Sequence, residues 1–491
     1  MKKLSSIILA ALLASGARAE VQLPAVIGNH MVLQQNTEVS LWGKAQANAK
    51  VTIRPSWTKT KYTATADGEG HWKTTIATTS AGGPYTLTFS DGSKTKTELT
   101  DILLGEVWVC SGQSNMEMPL RGYPNQPVEG SAEAIAAAGD NTGMRFFTVP
   151  RKSTNEPQYD CESEWKQCSP MTARSFSAMG YFFGLELYRL LKIPVGLIES
   201  DYGGTPIESW MSRQALDATK RQHPEAEQGM KGFQAPCGLY NAMICPVKGF
   251  TAKGFIWYQG EANRGNWYDY AELQKALIAL WRQDWGNSEM PFYITQIAPY
   301  LYNGAMKRLS ALFVDQQYQA AAETPHCEVI STQDVGEGYI IHPAKKQVVA
   351  NRMAWTAATC DYGIAGLPVN KPRFKSMEQK DGKLVLHFTF GLDDYYRGGA
   401  EAEAASRQEY FVPRNPVKGF EIAGEDRKFY PATGNHILWG KNTIELWSEQ
   451  VPHPVAVRYA YRNFPEETNV VTQLGLPLPS FRTDDWEMDD L

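Results

Sequence analysis

The sequence predicts an α/β protein: a three-layer core of parallel sheet flanked by helices, with a β region before it and another after it. Three observations carry this. Residues 21 to about 100 are short apolar–polar alternations broken by turn signals. From Ile102 to about residue 364, apolar strand-like runs alternate with helical stripes. From about residue 365 the alternation returns.

The chain opens with Lys2 and Lys3, an apolar stretch over residues 7–14 and the small-x-small triplet Ala17-Arg18-Ala19. This is the form of a signal peptide, with cleavage predicted after Ala19 and export to the periplasm or beyond. The stretch is too short to span a bilayer, and no later segment is long and apolar enough to do so. Residues 20–100 follow as a small sandwich-like domain: Val39-Ser40-Leu41-Trp42 and Tyr85-Thr86-Leu87-Thr88-Phe89 alternate, and Asp67-Gly68 and Gly82-Gly83-Pro84 break the runs. Residues 101–364 form the central domain. Strands are expected at residues 104–110, 195–200, 254–258, 292–296 and 328–332, and helices at 176–192 and 268–285. Residues 365–491 form the C-terminal β region, in which Lys383-Leu384-Val385-Leu386-His387-Phe388 alternates and an acidic tail starts at Asp484.

Hydrophobic residues make up 43% and charged residues 21% of the 491, with a net charge of -5. No run of like charge marks a nucleic-acid footprint or a membrane anchor. The 14 Trp and 23 Tyr suit sugar platforms as well as core packing. Of seven cysteines, Cys161 with Cys168 and Cys237 with Cys245 lie close enough for local disulfides in an oxidising compartment. Cys110 reads as a buried thiol. No cysteine has zinc-site spacing with histidine, so no cysteine metal site is expected, and nothing in the sequence calls for a metal or organic cofactor.

Four segments follow expected strands, where sites form in parallel sheets. Cys110-Ser111-Gly112-Gln113-Ser114-Asn115-Met116 sets Ser114 on a turn. A serine hydroxyl needs a base to become a nucleophile, and a turn can aim its own N–H at an oxyanion. Met116 rules out the Gly-x-Ser-x-Gly elbow. Tyr202-Gly203-Gly204-Thr205 lets a backbone N–H approach a substrate oxygen. Gln259-Gly260-Glu261-Ala262-Asn263 offers side-chain amides, Asn263 or Gln259. Asp334-Val335-Gly336-Glu337-Gly338-Tyr339-Ile340-Ile341-His342-Pro343 places His342, alone among the 8 histidines, after a glycine-rich acidic loop. Asp334, or else Glu337, is the candidate for fixing its tautomer. Each segment taken singly reads more readily as a plain turn or polar loop; their joint occurrence at strand ends points to chemistry.

This ordered set resembles the SGNH hydrolase superfamily, and within it the sialate O-acetylesterase family. Asn29-His30-Met31-Val32-Leu33-Gln34 and Phe481-Arg482-Thr483-Asp484-Asp485-Trp486 extend the likeness over nearly the whole mature chain. The resemblance implies an SGNH-type three-layer fold and a secreted carbohydrate O-acetylesterase. It implies Ser114 as nucleophile, His342 as base, and oxyanion donors from Ser114, Gly203 or Gly204, and Asn263 or Gln259. Two departures stand out. Tyr339 occupies the position three before the histidine where many SGNH enzymes carry the acid, and Gln-Gly-Glu-Ala-Asn replaces Gly-x-Asn-Asp. Asp334 is the acid the family's sialate branch suggests, and a Ser–His dyad is the alternative. The implied substrate is a glycan or small sugar carrying O-acetyl groups: 9-O-acetyl sialic acid, or else an acetylated polysaccharide such as xylan. Arg121, Arg264 and Arg352 are candidate cations for a sialate carboxylate. A non-catalytic carbohydrate-binding protein is the reading from a different class.

Overall fold

The computed structural model describes residues 21–93, 95–302, 307–392, 409–437 and 442–487; the expected leader lies outside them. The N-terminal strands are β1 (Val32–Gln34), β2 (Glu38–Lys44), β3 (Lys50–Pro55), β4 (Tyr62–Thr65), β5 (His71–Ala77) and β6 (Gly82–Ser90). β2 and β5 form a two-stranded sheet, and β3 pairs with β4 and β6. Val39, Leu41, Val51, Ile53, Leu87 and Phe89, the inward half of each alternation, share one core.

The boundary expected at residue 101 falls inside a strand. β7 (Thr97–Gly112) pairs with β6 through its first half and enters the central sheet through its second. No glycine or proline interrupts residues 97–104, so nothing in the chain forces a break there.

The central sheet adds β8 (Met144–Thr148), β9 (Trp165–Gln167), β10 (Val195–Asp201), β11 (Gly254–Tyr258), β12 (Phe292–Thr295) and β13 (Cys327–Ile330), in the order β13-β12-β11-β7-β10-β8-β9. All neighbours are parallel except β9, which runs against β8. The helices are α1 (Ser114–Glu117), α2 (Ser131–Ala136), α3 (Pro170–Ala173), α4 (Ala178–Leu191), α5 (Arg213–Ala218), α6 (Tyr270–Trp285), α7 (Leu309–Ala322) and α8 (Lys346–Tyr362). Strands buried on both faces need apolar residues in succession, and the two faces divide them strictly. Val107, Val109, Phe255, Trp257, Phe292 and Ile294 pack with α6 and α7. Trp108, Cys110, Ile256, Tyr258 and Tyr293 pack with α4 and α8. Helices therefore cover both faces, as the alternating pattern predicts.

Register decides where the motif loops start. Gly112, the last residue of β7, lies opposite Asp201 on one side and Tyr258 on the other, each the last residue of its own strand. Three of the four motif segments thus leave the sheet side by side. Gly112 has φ +143°, and a Cβ there would run into the Tyr258 carbonyl; only glycine lets the strand turn so close to its neighbour.

After α8 the chain forms two four-stranded antiparallel sheets around Leu384, Phe388, Ile422 and Val457. This region is tied to the central domain near the base: Asn463 accepts the Tyr300 N–H on its backbone oxygen and the Ser310 N–H on its side chain. Both expected local disulfides are absent; all seven cysteines are unbonded. Cys168 instead turns its thiol to the Ala138 carbonyl.

Replacing Gly112 by alanine should lower unfolding free energy by roughly 3 kcal/mol through strain and overpacking, read as a reduced denaturant midpoint, and should cost activity as well because the next turn carries Ser114.

Candidate active site

The nucleophile turn is built by its neighbours. Ser177, the N-cap of α4, accepts the Gly180 N–H and donates its hydroxyl to the Met116 carbonyl at 2.6 Å. Such a cap contributes about 1 kcal/mol to its helix, and here it also pins α1. Gln113 donates its N–H to Tyr258 and accepts on Oε1 from the N–H groups of Gly260 and Ala262. Asn115 is fully buried. Its amide nitrogen donates to Glu261 Oε1 at 2.7 Å and to the Ile341 carbonyl at 3.1 Å, and its oxygen accepts from Lys346 Nζ. The residue after Ser114 is thereby bonded to the residue before His342.

That clamp brings Ser114 Oγ to 2.8 Å from His342 Nε2 across 228 residues of chain. His342 Nδ1 donates to Gln126 Oε1 at 2.5 Å. An amide oxygen on Nδ1 leaves the Nε2 lone pair facing the serine hydroxyl, which is the tautomer a general base requires. The Tyr123 ring meets the imidazole edge to face at 5.2 Å, and its hydroxyl donates to the Ser114 carbonyl. Burial first, and the nearby Lys346 ammonium second, push the His342 pKa down to about 4. Burial likewise brings Lys346 down to about 7 against the opposing pull of Glu261.

Asp334 does not face the imidazole. Both of its oxygens are 2.7 Å from the guanidinium of Arg352, a bidentate pair. Glu337 accepts the Ala344 N–H at 2.7 Å. The group on the imidazole is Gln126, a neutral amide twelve residues beyond Ser114 in a loop with no strand before it. No acid–histidine spacing could have flagged it.

The expected oxyanion donors divide. Gly203 lies against the nucleophile, since a Cβ on it would be 3.2 Å from Ser114 Cβ, but its N–H is taken by Glu117 Oε2 at 2.5 Å. Asn263 accepts from Ile207 N and Gln259 Nε2 and donates to Glu208 at 2.8 Å. Gln259 also donates to the Thr205 carbonyl and accepts from the Tyr270 hydroxyl. Both amides are buried and tie the second and third loops together. Among the described residues, the N–H groups of Ser114 and Gly204 donate to no protein acceptor. Behind Gly203, burial raises the pKa of Glu199 to about 7 and raises that of Asp201 as well. Arg151 lies between Asp201 and Glu117 at 3.4 Å from each. Phe233 stacks on Tyr202 with centroids 5.0 Å apart, and Tyr339 is 88% exposed. Trp108, Trp165, Trp210, Trp257 and Trp281 are core. No group of three or more His, Cys, Asp or Glu among the described residues is placed to hold a metal ion, and no helix among them is long and apolar enough to cross a membrane.

A sequence model described as carbohydrate esterase, sialic acid-specific acetylesterase, matches residues 104–354, the segment that contains every residue of this site. The chain belongs to that family. It is a carboxylic ester hydrolase by this membership. Rat sialate O-acetylesterase is 30% identical over 95% of each chain. The human sialate O-acetylesterase is 29% identical over 90% of this chain and 87% of its own. The crystal structure of a carbohydrate acetylesterase from Xanthomonas citri superposes with TM-score 0.83 at 32% identity, covering 95% of this chain and all of that one.

If Gln126 orients the base, Gln126→Ala should lower kcat about tenfold while leaving KM nearly unchanged, and Gln126→Glu should move the acid limb of kcat/KM to higher pH by adding a negative charge on Nδ1. Asp334→Ala should leave that limb in place and instead cost roughly 2 kcal/mol of stability, because Arg352 loses its partner in a partly buried site; a denaturant titration reads it.

Proposed function

We propose that this protein removes O-acetyl groups from sugars through an acetyl-enzyme on Ser114, with His342 as base. The observation that carries the proposal is the 2.8 Å contact between Ser114 Oγ and His342 Nε2. Ser114 Oγ attacks the ester carbonyl as its proton passes to Nε2. The N–H groups of Ser114 and Gly204 are the donors we assign to the oxyanion. Collapse of the tetrahedral adduct breaks the bond to the sugar oxygen, which leaves with the proton from Nε2. Water then attacks the acetyl-serine, Nε2 takes its proton, and acetate departs as the proton returns to Oγ. Gln126 keeps hydrogen on Nδ1 throughout. With no carboxylate on the imidazole, the imidazolium is stabilised by a dipole alone, so the machinery is a dyad with an amide orienter rather than a Ser–His–Asp triad.

Sialic acid carrying a 9-O-acetyl group is the substrate we assign, because the named relatives are sialate O-acetylesterases. An acetylated neutral polysaccharide is the second reading, favoured by the Xanthomonas citri structure, described only as a carbohydrate acetylesterase. The SGNH-type arrangement and export from the cytoplasm, the latter on the leader at residues 1–19, belong to the same proposal.

Incubation with 9-O-acetyl sialic acid and with acetylated xylan, measuring released acetate, tests it. Turnover of the sialate ester, lost in Ser114→Ala, is expected; activity that survives in that variant contradicts the mechanism. The pH dependence follows from His342. A base works only when neutral, and its pKa is lowered to about 4, so kcat/KM should stay high as pH falls past 6 and decline only near pH 4. Replacing Lys346 by methionine removes a positive charge beside the ring and should move that decline upward.

A further inference from the structure

Among the described residues, Arg264 is a cation without an anion. It follows Asn263 in the third loop and lies partly buried. Its guanidinium carbon stands 3.7 Å from the centroid of the Tyr302 ring. Its Nη1 is buried with no hydrogen-bond partner, and among the described residues neither other guanidinium nitrogen meets an acceptor or a carboxylate. Elsewhere among the described residues the arginines drawn into the protein are answered: Arg145 by Asp101, Arg308 by Glu421, Arg352 by Asp334, Arg458 by Asp484. Arg282 caps backbone carbonyls. Holding a guanidinium partly out of water without a counter-charge is costly. Stacking on a tyrosine offsets part of that cost, and an incoming anion would offset the rest.

The surroundings point the same way. The Tyr302 hydroxyl, a possible donor to an anion, is also buried without a partner. Glu261 and Ala262 bond to the residues on either side of Ser114, and Arg264 is two positions further along. Tyr302 follows Leu301, whose N–H donates to the Gly338 carbonyl in the loop that carries His342. The Arg264–Tyr302 pair therefore joins two segments, one bonded to the nucleophile turn and the other to the loop that carries the base.

We infer that Arg264, propped on Tyr302, is the subsite for the carboxylate of an acidic sugar whose O-acetyl group reaches Ser114. A planar guanidinium with unpaired nitrogens matches a carboxylate in a way a neutral sugar cannot use. This deepens the esterase reading and rests on it for the position of the ester. Of the three arginines considered from the sequence, Arg352 is spent on Asp334 and Arg121 is exposed.

The test is calorimetric binding of 9-O-acetyl sialic acid and of its carboxyl methyl ester to the Ser114→Ala protein, which leaves the acetyl group in place. The free acid should bind about tenfold more tightly than the methyl ester, the equivalent of one charge-assisted contact. Adding Arg264→Gln should bring the ratio to about one, and Arg264→Lys should keep part of it. Because the ratio is taken within each protein, a general loss of affinity does not imitate the effect; should Arg264→Gln not fold, Tyr302→Leu, which removes the ring beneath the guanidinium, must also reduce the preference. Equal affinities, no binding of either ligand, or a preference that survives Arg264→Gln overturns the subsite. Acetate release by the wild-type protein is scored separately: a preference without release overturns the esterase reading and spares the subsite, and release without a preference does the reverse.

Discussion

The bond from the Asn115 amide to the Ile341 carbonyl is the constraint on which the site depends. It joins the immediate neighbours of the serine and the histidine, so the 2.8 Å reach between their side chains is set by a buried contact rather than by two loops meeting from solvent. Everything that fixes Asn115 serves the same end: Glu261 on its nitrogen, Lys346 on its oxygen, and Gln113 stitched to the third loop. Buried polar groups of this kind are costly unless each finds a partner, and here the partners come from the third loop, the His342 loop and the first residue of α8. Satisfying one amide orders the whole site.

The parallel sheet makes this possible. With Gly112 opposite both Asp201 and Tyr258, three loops leave the sheet at one edge, and short connections suffice to cross-link them. The sheet also supplies burial. The same desolvation that lowers the His342 pKa keeps the base neutral in mild acid, so it needs no carboxylate partner to set its working range. A neutral orienter, Gln126, is consistent with that economy of charge.

Much of this was legible in the sequence. Period-two alternation placed the N-terminal strands, and the 254–258 strand was read to the residue. Ser114 and His342 stood out because each follows a strand through a glycine-rich turn. What failed did so for physical reasons. Gln126 lies in an irregular loop where a glutamine carries no pattern, whereas Asp334 looked right by position but is claimed by Arg352, eighteen residues beyond it on α8. Asn263 and Gln259 have the right functional group for an oxyanion donor, yet residue type says nothing about direction, and both point into the loop framework. Gly203 looks like a free donor in sequence because the carboxylate that takes its N–H, Glu117, lies far away along the chain at the end of α1. The boundary near residue 101 was drawn from a change in pattern, but a strand can serve two sheets.

The most direct measurement is covalent capture of the nucleophile. A fluorophosphonate reacts with serines that a neighbouring base has activated, and peptide mass spectrometry locates the adduct. The adduct is expected on Ser114 in the wild-type protein, with labelling slower by about a hundredfold in His342→Ala, in line with the contribution of a positioned general base. Modification of a different serine, or equal rates in the two proteins, would contradict it.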